Sequence, residues 1–209
     1  MLKGASAGAI GTEANCDFVA DMLHDVNPDI DVKCISDSGS LYPYHTHTQL
    51  CYPHILESAA FDIWGSVTDR SCMEDHPLAS GYSCFSVTTS YPYLETPILL
   101  VVSSEDTTIR FCYEEEDQEF WQHWRDELAG IALDIAVEKP RIGMFIPNCP
   151  FHGGLGGNLT YWGMEVPLVD TENDGDVEVA RNIIVNFMNQ SHPYQAIDDM
   201  SVRNPNCNK

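Results

Sequence analysis

The chain has 209 residues, 44% of them hydrophobic and 10% aromatic, which excludes the disordered, collagen-like and coiled-coil classes and suits one large domain or two small ones. Asp and Glu number 32 against ten Lys and Arg, and the net charge of −22 makes nucleic acids and anionic membranes poor partners because like charges repel. No apolar run approaches the roughly 20 residues that a membrane-spanning helix requires.

A nucleophile elbow is the first element that the sequence predicts. Gly4-Ala5-Ser6-Ala7-Gly8 fits the pattern G-x-S-x-G, in which small residues allow a sharp turn from a strand into a helix and expose the Ser Oγ. The same turn would direct the backbone N–H of Ala7 toward a developing oxyanion. A Gly/Ala/Ser cluster is also typical of an ordinary turn or a disordered chain start, so its context has to decide.

A helix should follow the elbow directly and end at Asn27-Pro28. Gly8 and Gly11 are expected to let this helix pack closely on the sheet. Its predicted apolar face consists of Ile10, Cys16, Phe18, Val19, Met22 and Leu23. Only the first few residues precede the elbow, although such a turn normally follows the central strand of a sheet. We therefore expect the C-terminal half of a larger enzyme.

The rest of the chain alternates strands and helices. The predicted strands are 31–36, 97–102 and 142–146, and the predicted helices are 115–137 and 176–188. Residues 40–96 are irregular, with one predicted helix near 55–64, and a stretch of this length between two strands is typical of a cap or lid over a site. The order predicts an α/β protein with a single domain over residues 1–209.

Three candidate catalytic residues follow strand ends. Ser6 lies on the elbow, Asp106 follows the strongest predicted strand, and His152 follows the strand at 142–146. An α/β-hydrolase has its triad in the order Ser, acid, His at the carboxyl ends of successive strands. In this interpretation His152 is the general base, and Asp106 orients it and stabilises its imidazolium.

Both the acid and the base have rivals. Asp37 also ends a predicted strand, and Asp106 is preferred because its strand is the clearer one. His192 follows a helix rather than a strand, which makes it less well placed than His152.

A short loop offers a possible metal site. His45, His47, Cys51 and His54 have imidazole and thiolate groups at a spacing that suits zinc. A cysteine in an oxidised chain is better explained by a disulfide, so neither a metal nor another cofactor is predicted.

The sequence has eight dispersed cysteines and contains no C-x-x-C pair, so it does not indicate a zinc ribbon or a redox motif. The cysteines therefore favour an oxidising, secretory compartment. Asn158 and Asn189 each begin a glycosylation sequon, which points the same way. The first residues contain no signal peptide, and we expect it to have been lost together with an N-terminal segment.

Several segments resemble the pectin acetylesterase and Notum family of secreted serine carboxylesterases. They are the elbow at 4–11, the start of the following helix at 15–21, the strand and turn at 32–39, the cysteine loop at 71–85, Asp106 after 96–100, and Asn148-Cys149-Pro150-Phe151-His152. The resemblance is most specific in the first forty residues and fades after Gly153.

The resemblance implies an α/β-hydrolase, present here from the elbow onward, that removes acyl groups from an ester-linked carbohydrate or protein. It assigns Ser6, Asp106 and His152 as the triad and the Ala7 N–H as an oxyanion donor. Two departures weaken the assignment of activity: the family's glycine-tryptophan oxyanion segment has no counterpart, and Ser40-Leu41 replaces its turn aromatic. Losing one oxyanion donor costs about 100- to 1000-fold in rate. The alternative is a catalytically silent homologue or a glycan-binding protein.

The resemblance also bears on the disulfides and the substrate. Cys72 and Cys84 match a family disulfide loop and lie in one short segment, and a Cys16–Cys34 bond would join the predicted helix to the following strand. Pectin has an anionic backbone, so the net charge of −22 favours a neutral acetylated glycan or a lipidated protein as the partner.

Overall fold

A parallel sheet of five strands forms the centre of the computed structural model, which describes residues 1–43, 61–63, 65–76, 82–112, 118–153, 165–167, 177–189, 195–201, 204 and 207. The described strands, inside and outside this sheet, are β1 (Leu2–Ala5), β2 (Cys34–Asp37), β3 (Ile98–Val101), β4 (Ile142–Ile146), β5 (Glu165–Pro167), β6 (Val177–Val179) and β7 (Gln195–Ile197). The sheet order is β1-β2-β3-β4-β7, and β5 pairs with β6 in a separate antiparallel ribbon.

Six helices are described in full between and around these strands, in addition to the helical residues 61–63. They are α1 (Ala7–Val26), α2 (Arg70–Asp75), α3 (Val87–Ser90), α4 (Thr107–Cys112), α5 (Gln118–Glu138) and α6 (Ala180–Asn189), with a 3₁₀ helix at Tyr82–Phe85. None of the described helices is both long and apolar enough to cross a membrane. The predicted α/β class is confirmed, and the predicted strands at 97–102 and 142–146 correspond to β3 and β4.

The sheet has a hydrophobic core on each face. Ile98 and Leu100 of β3 pack in one core with Trp124 and Leu128 of α5, and Leu99 and Val101 face the other core. That second core also contains Ile183 and Phe187 of α6. Residues of β2, β3 and β4 are buried throughout, which explains why β3 and β4 read as continuous apolar runs. In β1 the residues alternate between partly buried and exposed.

The register aligns the carboxyl ends of four strands. Ala5 pairs with Asp37, Asp37 with Val101, and Val101 with Phe145. Because the strands are parallel, the residues that follow them leave the sheet at the same edge. Ser6, the turn after β2, Asp106 and His152 therefore share one edge of the sheet.

The buried face of α1 differs from the predicted apolar face. Phe18 is 61% exposed and Met22 is 50% exposed, whereas Ala9, Thr12, Glu13, Cys16 and Ala20 are buried. A Cβ at Gly4 would overlap the carbonyl of Gly8, so α1 lies very close to β1 and only small side chains fit between them. The expectation for Gly8 and Gly11 was wrong, because a Cβ at either position would meet open space. The glycine that permits close packing is Gly4.

The C-terminal region also departs from prediction. Val177–Val179 is strand β6, and the helix begins only at Ala180, because the branched residues 177 and 179 pair with β5. Strand β7 was missed, since three residues give too short a pattern to recognise. Of the helix predicted near 55–64, residues 61–63 are described and are helical, whereas 55–60 and 64 lie outside the described residues.

Disulfides join several of these elements. Cys16–Cys34 connects α1 to β2, and Cys72–Cys84 connects α2 to the 3₁₀ helix, so both pairs expected from the sequence are bonded in the structure. A third bond, Cys149–Cys207, was not anticipated.

A buried carboxyl group joins α1 to the turn formed by residues 37–40, called here the β2 turn. Glu13 is 1% exposed, and its carboxyl accepts hydrogen bonds from the Ser36 Oγ at 2.6 Å and from the backbone N and Oγ of Ser40. Burial raises the pKa of Glu13 from 4.5 to about 7, because desolvation outweighs the hydrogen bonds that favour its ionised form.

This raised pKa predicts a pH-dependent contribution to stability. The folded chain holds the Glu13 proton more tightly than the unfolded chain, so the stabilisation is present below about pH 4.5 and is lost as the pH rises to about 7. The size is on the order of 3 kcal/mol. Glu13→Gln removes the titration. We expect its free energy of unfolding, measured with urea, to rise relative to the wild type between pH 5 and pH 8, and parallel curves for the two proteins would contradict this.

Candidate active site

Ser6 lies at a strained turn between β1 and α1. Its φ of 55° and ψ of −128° place a non-glycine residue in the left-handed half of the backbone map, as expected at a sharp strand-to-helix turn. The Ser6 carbonyl accepts the backbone N–H of Ala9 at 2.8 Å, and its own N–H donates to the Asp37 carbonyl at 2.8 Å. Ser6 is partly exposed.

Ala7 is the first residue of α1 and is exposed. The first amides of a helix have no acceptor within the helix, and the helix dipole adds partial positive charge at this end. The Ala7 N–H is therefore in a position that suits a bound anion or a developing oxyanion.

Asp106 is buried and receives hydrogen bonds from several directions. It caps α4, accepting the Thr108 N–H at 2.8 Å on Oδ1, and the Tyr42 hydroxyl donates to Oδ2 at 3.0 Å. The side chain is 1% exposed. These bonds fix the carboxylate in one orientation, since the cap and the phenol approach different oxygens.

His152 pairs directly with Asp106. Its Nδ1 lies 2.8 Å from Oδ2 and 3.0 Å from Oδ1 of that residue. A carboxylate accepts only, so Nδ1 carries the proton in this pair and the Nε2 lone pair is left to act as a base. His152 is 22% exposed, which gives it access to solvent at the edge of the sheet.

The β2 turn links Ser6 to the loop that carries His152. Asp37 accepts the Ser6 N–H through its carbonyl, and the next residue, Ser38, accepts the Gly153 N–H at 2.9 Å on its Oγ. Ser38 itself has a positive φ of 59°. Two hydrogen bonds thus connect the backbone of Ser6 with that of the residue after His152.

The loop after β4 is fixed by polar contacts and a disulfide. Ser104 donates to Asn148 Oδ1 at 2.7 Å, and the Asn148 N–H donates to Asp198 Oδ2 at 3.0 Å. Cys149, which lies three residues before His152, is bonded to Cys207. The chain after β7 therefore holds the histidine loop in place.

The sequence candidates can now be compared with their positions. Asp106 contacts His152. Ser6 lies at the same edge of the sheet, where its N–H donates to the Asp37 carbonyl of the β2 turn. The rival acid Asp37 is fully buried and contributes its carbonyl to Ser6. The rival base His192, the loop residues His45, His47, Cys51 and His54, and the sequon residue Asn158 lie outside the described residues, and Asn189 is exposed at the end of α6.

Tyr42, Ser38 and the Cys149–Cys207 bond were missed. A tyrosine in an irregular segment gives no sequence signal for a contact with an aspartate that is distant in the chain. The even number of cysteines indicated further disulfides but not which residues pair.

A separate cleft of about 1320 Å³ lies between the outer face of α1 and the segments around α2 and Thr96. Phe18, Asp21, Asp69 and Tyr93 are among its lining residues, whereas Ser6, Asp106 and His152 are not. The cleft is therefore distinct from the edge of the sheet where these three residues lie.

The Cys149–Cys207 bond should contribute strongly to stability. It spans 58 residues, whereas Cys72–Cys84 spans 12, and in the chain-entropy account the longer loop gains more. We expect the double variant Cys149→Ala/Cys207→Ala to lose about 2–4 kcal/mol of unfolding free energy in urea. Cys72→Ala/Cys84→Ala is the matched control and should lose less. An equal or larger loss in the control would contradict the expectation.

The fold and site define the class: an α/β protein with a serine, a histidine and an aspartate at the carboxyl edge of a parallel sheet. The sequence model of the pectinacetylesterase family matches residues 1–208, and the chain belongs to this family. The family resemblance seen in the sequence is thereby confirmed, and the match continues past Gly153, where recognisable motifs ended.

Curated proteins similar to this chain include palmitoleoyl-protein carboxylesterases. Notum1a of Danio rerio is 27% identical over 179 residues, which are 78% of this chain and 34% of that protein. Notum1 of Xenopus laevis and NOTUM of Homo sapiens are each 28% identical over 109 residues, which are 48% of this chain and 22% of each relative. The chain thus matches between about a fifth and a third of the length of these relatives.

Proposed function

We propose that this chain is a serine carboxylesterase of the pectinacetylesterase family, with Ser6 as nucleophile, His152 as general base and Asp106 as the orienting acid. The observation that carries the proposal is the contact of His152 Nδ1 with the Asp106 carboxylate, 2.8 Å long, at the edge of the sheet where Ser6 turns into α1. Family membership and the carboxylesterase names of the relatives agree with it. In this proposal β1, β2, β3, β4 and β7 form the part of an α/β-hydrolase sheet from the nucleophile strand onward.

The chemistry proceeds in two steps. Ser6 Oγ attacks the acyl carbon while His152 Nε2 takes its proton, and Asp106 stabilises the imidazolium that forms. The Ala7 N–H donates to the oxyanion of the tetrahedral intermediate. The intermediate collapses, the alcohol leaves with the proton from His152, and an acyl-serine remains. Water, activated by His152, then hydrolyses the acyl-serine and releases the acid.

Residues 40–96 are proposed to form a cap beside this site. Tyr42, near the beginning of that segment, is buried and donates to Asp106, so the segment starts at the acid of the triad. The Cys72–Cys84 bond closes a loop later in the same segment.

We propose a secretory location for the protein. Disulfides such as those described typically form and persist in oxidising compartments, and Asn189 of a glycosylation sequon is exposed.

Labelling with a fluorophosphonate probe tests the nucleophile. We expect the purified chain to be modified at Ser6, as read by peptide mass spectrometry, and Ser6→Ala to remain unmodified. Asp106→Asn should slow labelling by on the order of ten-thousandfold, because the wrong imidazole tautomer then forms. His192→Ala is the matched control for the rival histidine and should label at the wild-type rate.

The outcome distinguishes the two classes of function. A chain that is folded by circular dichroism and that does not label at Ser6 would favour the silent or glycan-binding homologue. Loss of labelling in His192→Ala would show that the base is misassigned.

The charge of the chain bears on the substrate. Several described arginines form ion pairs with acids: Arg110 and Arg125 with Glu105, and Arg141 with Glu95. A net charge of −22 with so many cations paired leaves little to attract a polyanion. The proposed substrate is therefore a neutral acetylated glycan or a lipidated protein rather than pectin.

This proposal predicts a substrate preference. At low ionic strength we expect acetate release from acetylated xylan to exceed release from acetylated pectin, and added salt should narrow the difference by screening the repulsion. Both rates can be followed by coupled assay of free acetate. Faster release from pectin at low salt would rule out the electrostatic argument.

A further inference from the structure

Glu13 is a buried carboxyl group that the proposed chemistry does not use. It lies on α1, and its two oxygens accept hydrogen bonds from Ser36 Oγ near the end of β2 and from the N and Oγ of Ser40 in the β2 turn. Burying a carboxyl costs free energy unless such partners are supplied. The partners of Glu13 lie at the end of β2 and in the β2 turn, so its hydrogen bonds act on that polar region rather than on the hydrophobic core.

The β2 turn is shaped around this carboxyl group. A Cβ at Gly39 would overlap Glu13 Oε1 and Ser36 Oγ, so only glycine leaves room for the contact. The Ser40 Oγ that donates to Glu13 also accepts the Val87 N–H at 2.8 Å and thereby ties the turn to α3. The carboxyl group thus joins α1, the turn and α3.

The same turn holds both sides of the candidate site. Its Asp37 carbonyl accepts the Ser6 N–H, and its Ser38 Oγ accepts the Gly153 N–H beside His152. Ser38 has a positive φ, a conformation that is strained for a side chain other than glycine and that persists only when surrounding contacts impose it. The Glu13 hydrogen bonds lie on both sides of this residue, at positions 36 and 40.

We propose that Glu13 is a positioning residue that fixes the β2 turn and, through it, the placement of Ser6 relative to His152. The inference rests on the proposed function of Ser6 and His152. Attachment of α1 to β2 alone does not require Glu13, because the Cys16–Cys34 disulfide joins those elements one turn further along α1. The disulfide is anchored at Cys34, whereas the carboxyl group accepts the backbone N–H of Ser40 at the end of the β2 turn.

Three variants separate positioning from general stability. Glu13→Ala removes the acceptor, and Glu13→Gln keeps the volume and one acceptor oxygen. Thr12→Val is the matched control, because Thr12 is buried beside Glu13 on α1 but its hydroxyl bonds to Gly8 within the helix. All three are to be studied well below their melting temperatures, in samples shown to be folded by circular dichroism.

The first measurement is amide hydrogen exchange by NMR at Ser6 and Gly153. These amides donate to the β2 turn, so they report its position without any need for catalysis. We expect exchange at both amides to be at least about tenfold faster in Glu13→Ala, less accelerated in Glu13→Gln, and unchanged in Thr12→Val. Unchanged exchange in a folded Glu13→Ala would overturn the inference.

The second measurement is the kinetics of fluorophosphonate labelling at Ser6. We expect Glu13→Ala to lower the limiting rate, kinact, by about tenfold or more with KI unchanged, and Glu13→Gln to recover part of the loss. If Glu13 only stabilised the fold, kinact of the folded Glu13→Ala molecules would equal the wild-type value. That result would contradict the proposal.

The two readouts keep the proposals apart. If the wild type does not label but exchange at Ser6 and Gly153 responds to Glu13, the proposed function fails and the positioning of the turn stands. If the wild type labels and Glu13→Ala labels equally fast, the proposed function stands and the role of Glu13 fails.

Discussion

The parallel alignment of β1 to β4 is the constraint on which the rest of the site depends. Ala5, Asp37, Val101 and Phe145 lie side by side, so the chain leaves four strands at one edge. Residues far apart in sequence meet there because the sheet fixes their height and spacing, as in other parallel α/β proteins. A slip of one residue in any of these strands would turn the following side chain to the other face of the sheet.

The edge contains several buried polar side chains, and their hydrogen bonds favour one arrangement of the loops. Ser36, Ser38, Ser104, Asp106 and Asn148 are all buried. Buried polar atoms require hydrogen-bond partners, and here the loops supply them to each other across strands. Such a network tolerates few alternative arrangements, since moving one loop would leave partners on the next without a bond. The proposed triad thus gains its rigidity from polar contacts that surround it.

Covalent and ionic contacts stabilise the periphery of this network. Cys16–Cys34 joins α1 to the first residue of β2, and Cys149–Cys207 lies beside the histidine loop. Glu105, next to Asp106, pairs with Arg110 and Arg125 at 2.7 Å each. The chain has only ten basic residues and a net charge of −22, and two of its arginines neutralise the carboxylate next to Asp106.

The sequence alone determined the elements with strong local signals. The apolar runs predicted β3 and β4, and the G-x-S-x-G pattern predicted the strand, Ser6 turn and helix that the structure has. The α/β class followed from their order, and family membership followed from short motifs such as the one ending at His152. These features depend on neighbouring residues, which a sequence displays directly.

Only the tertiary structure decided the features that depend on distant residues. The close approach of α1 to β1 left Phe18 exposed and Glu13 buried, the reverse of what their polarity predicts. The short strand β7 exists because β4 offers it a partner, and Tyr42 reaches Asp106 because the fold brings the two together. Packing distance, strand pairing and buried hydrogen bonds arise between segments that are far apart in the chain, so no local pattern specifies them.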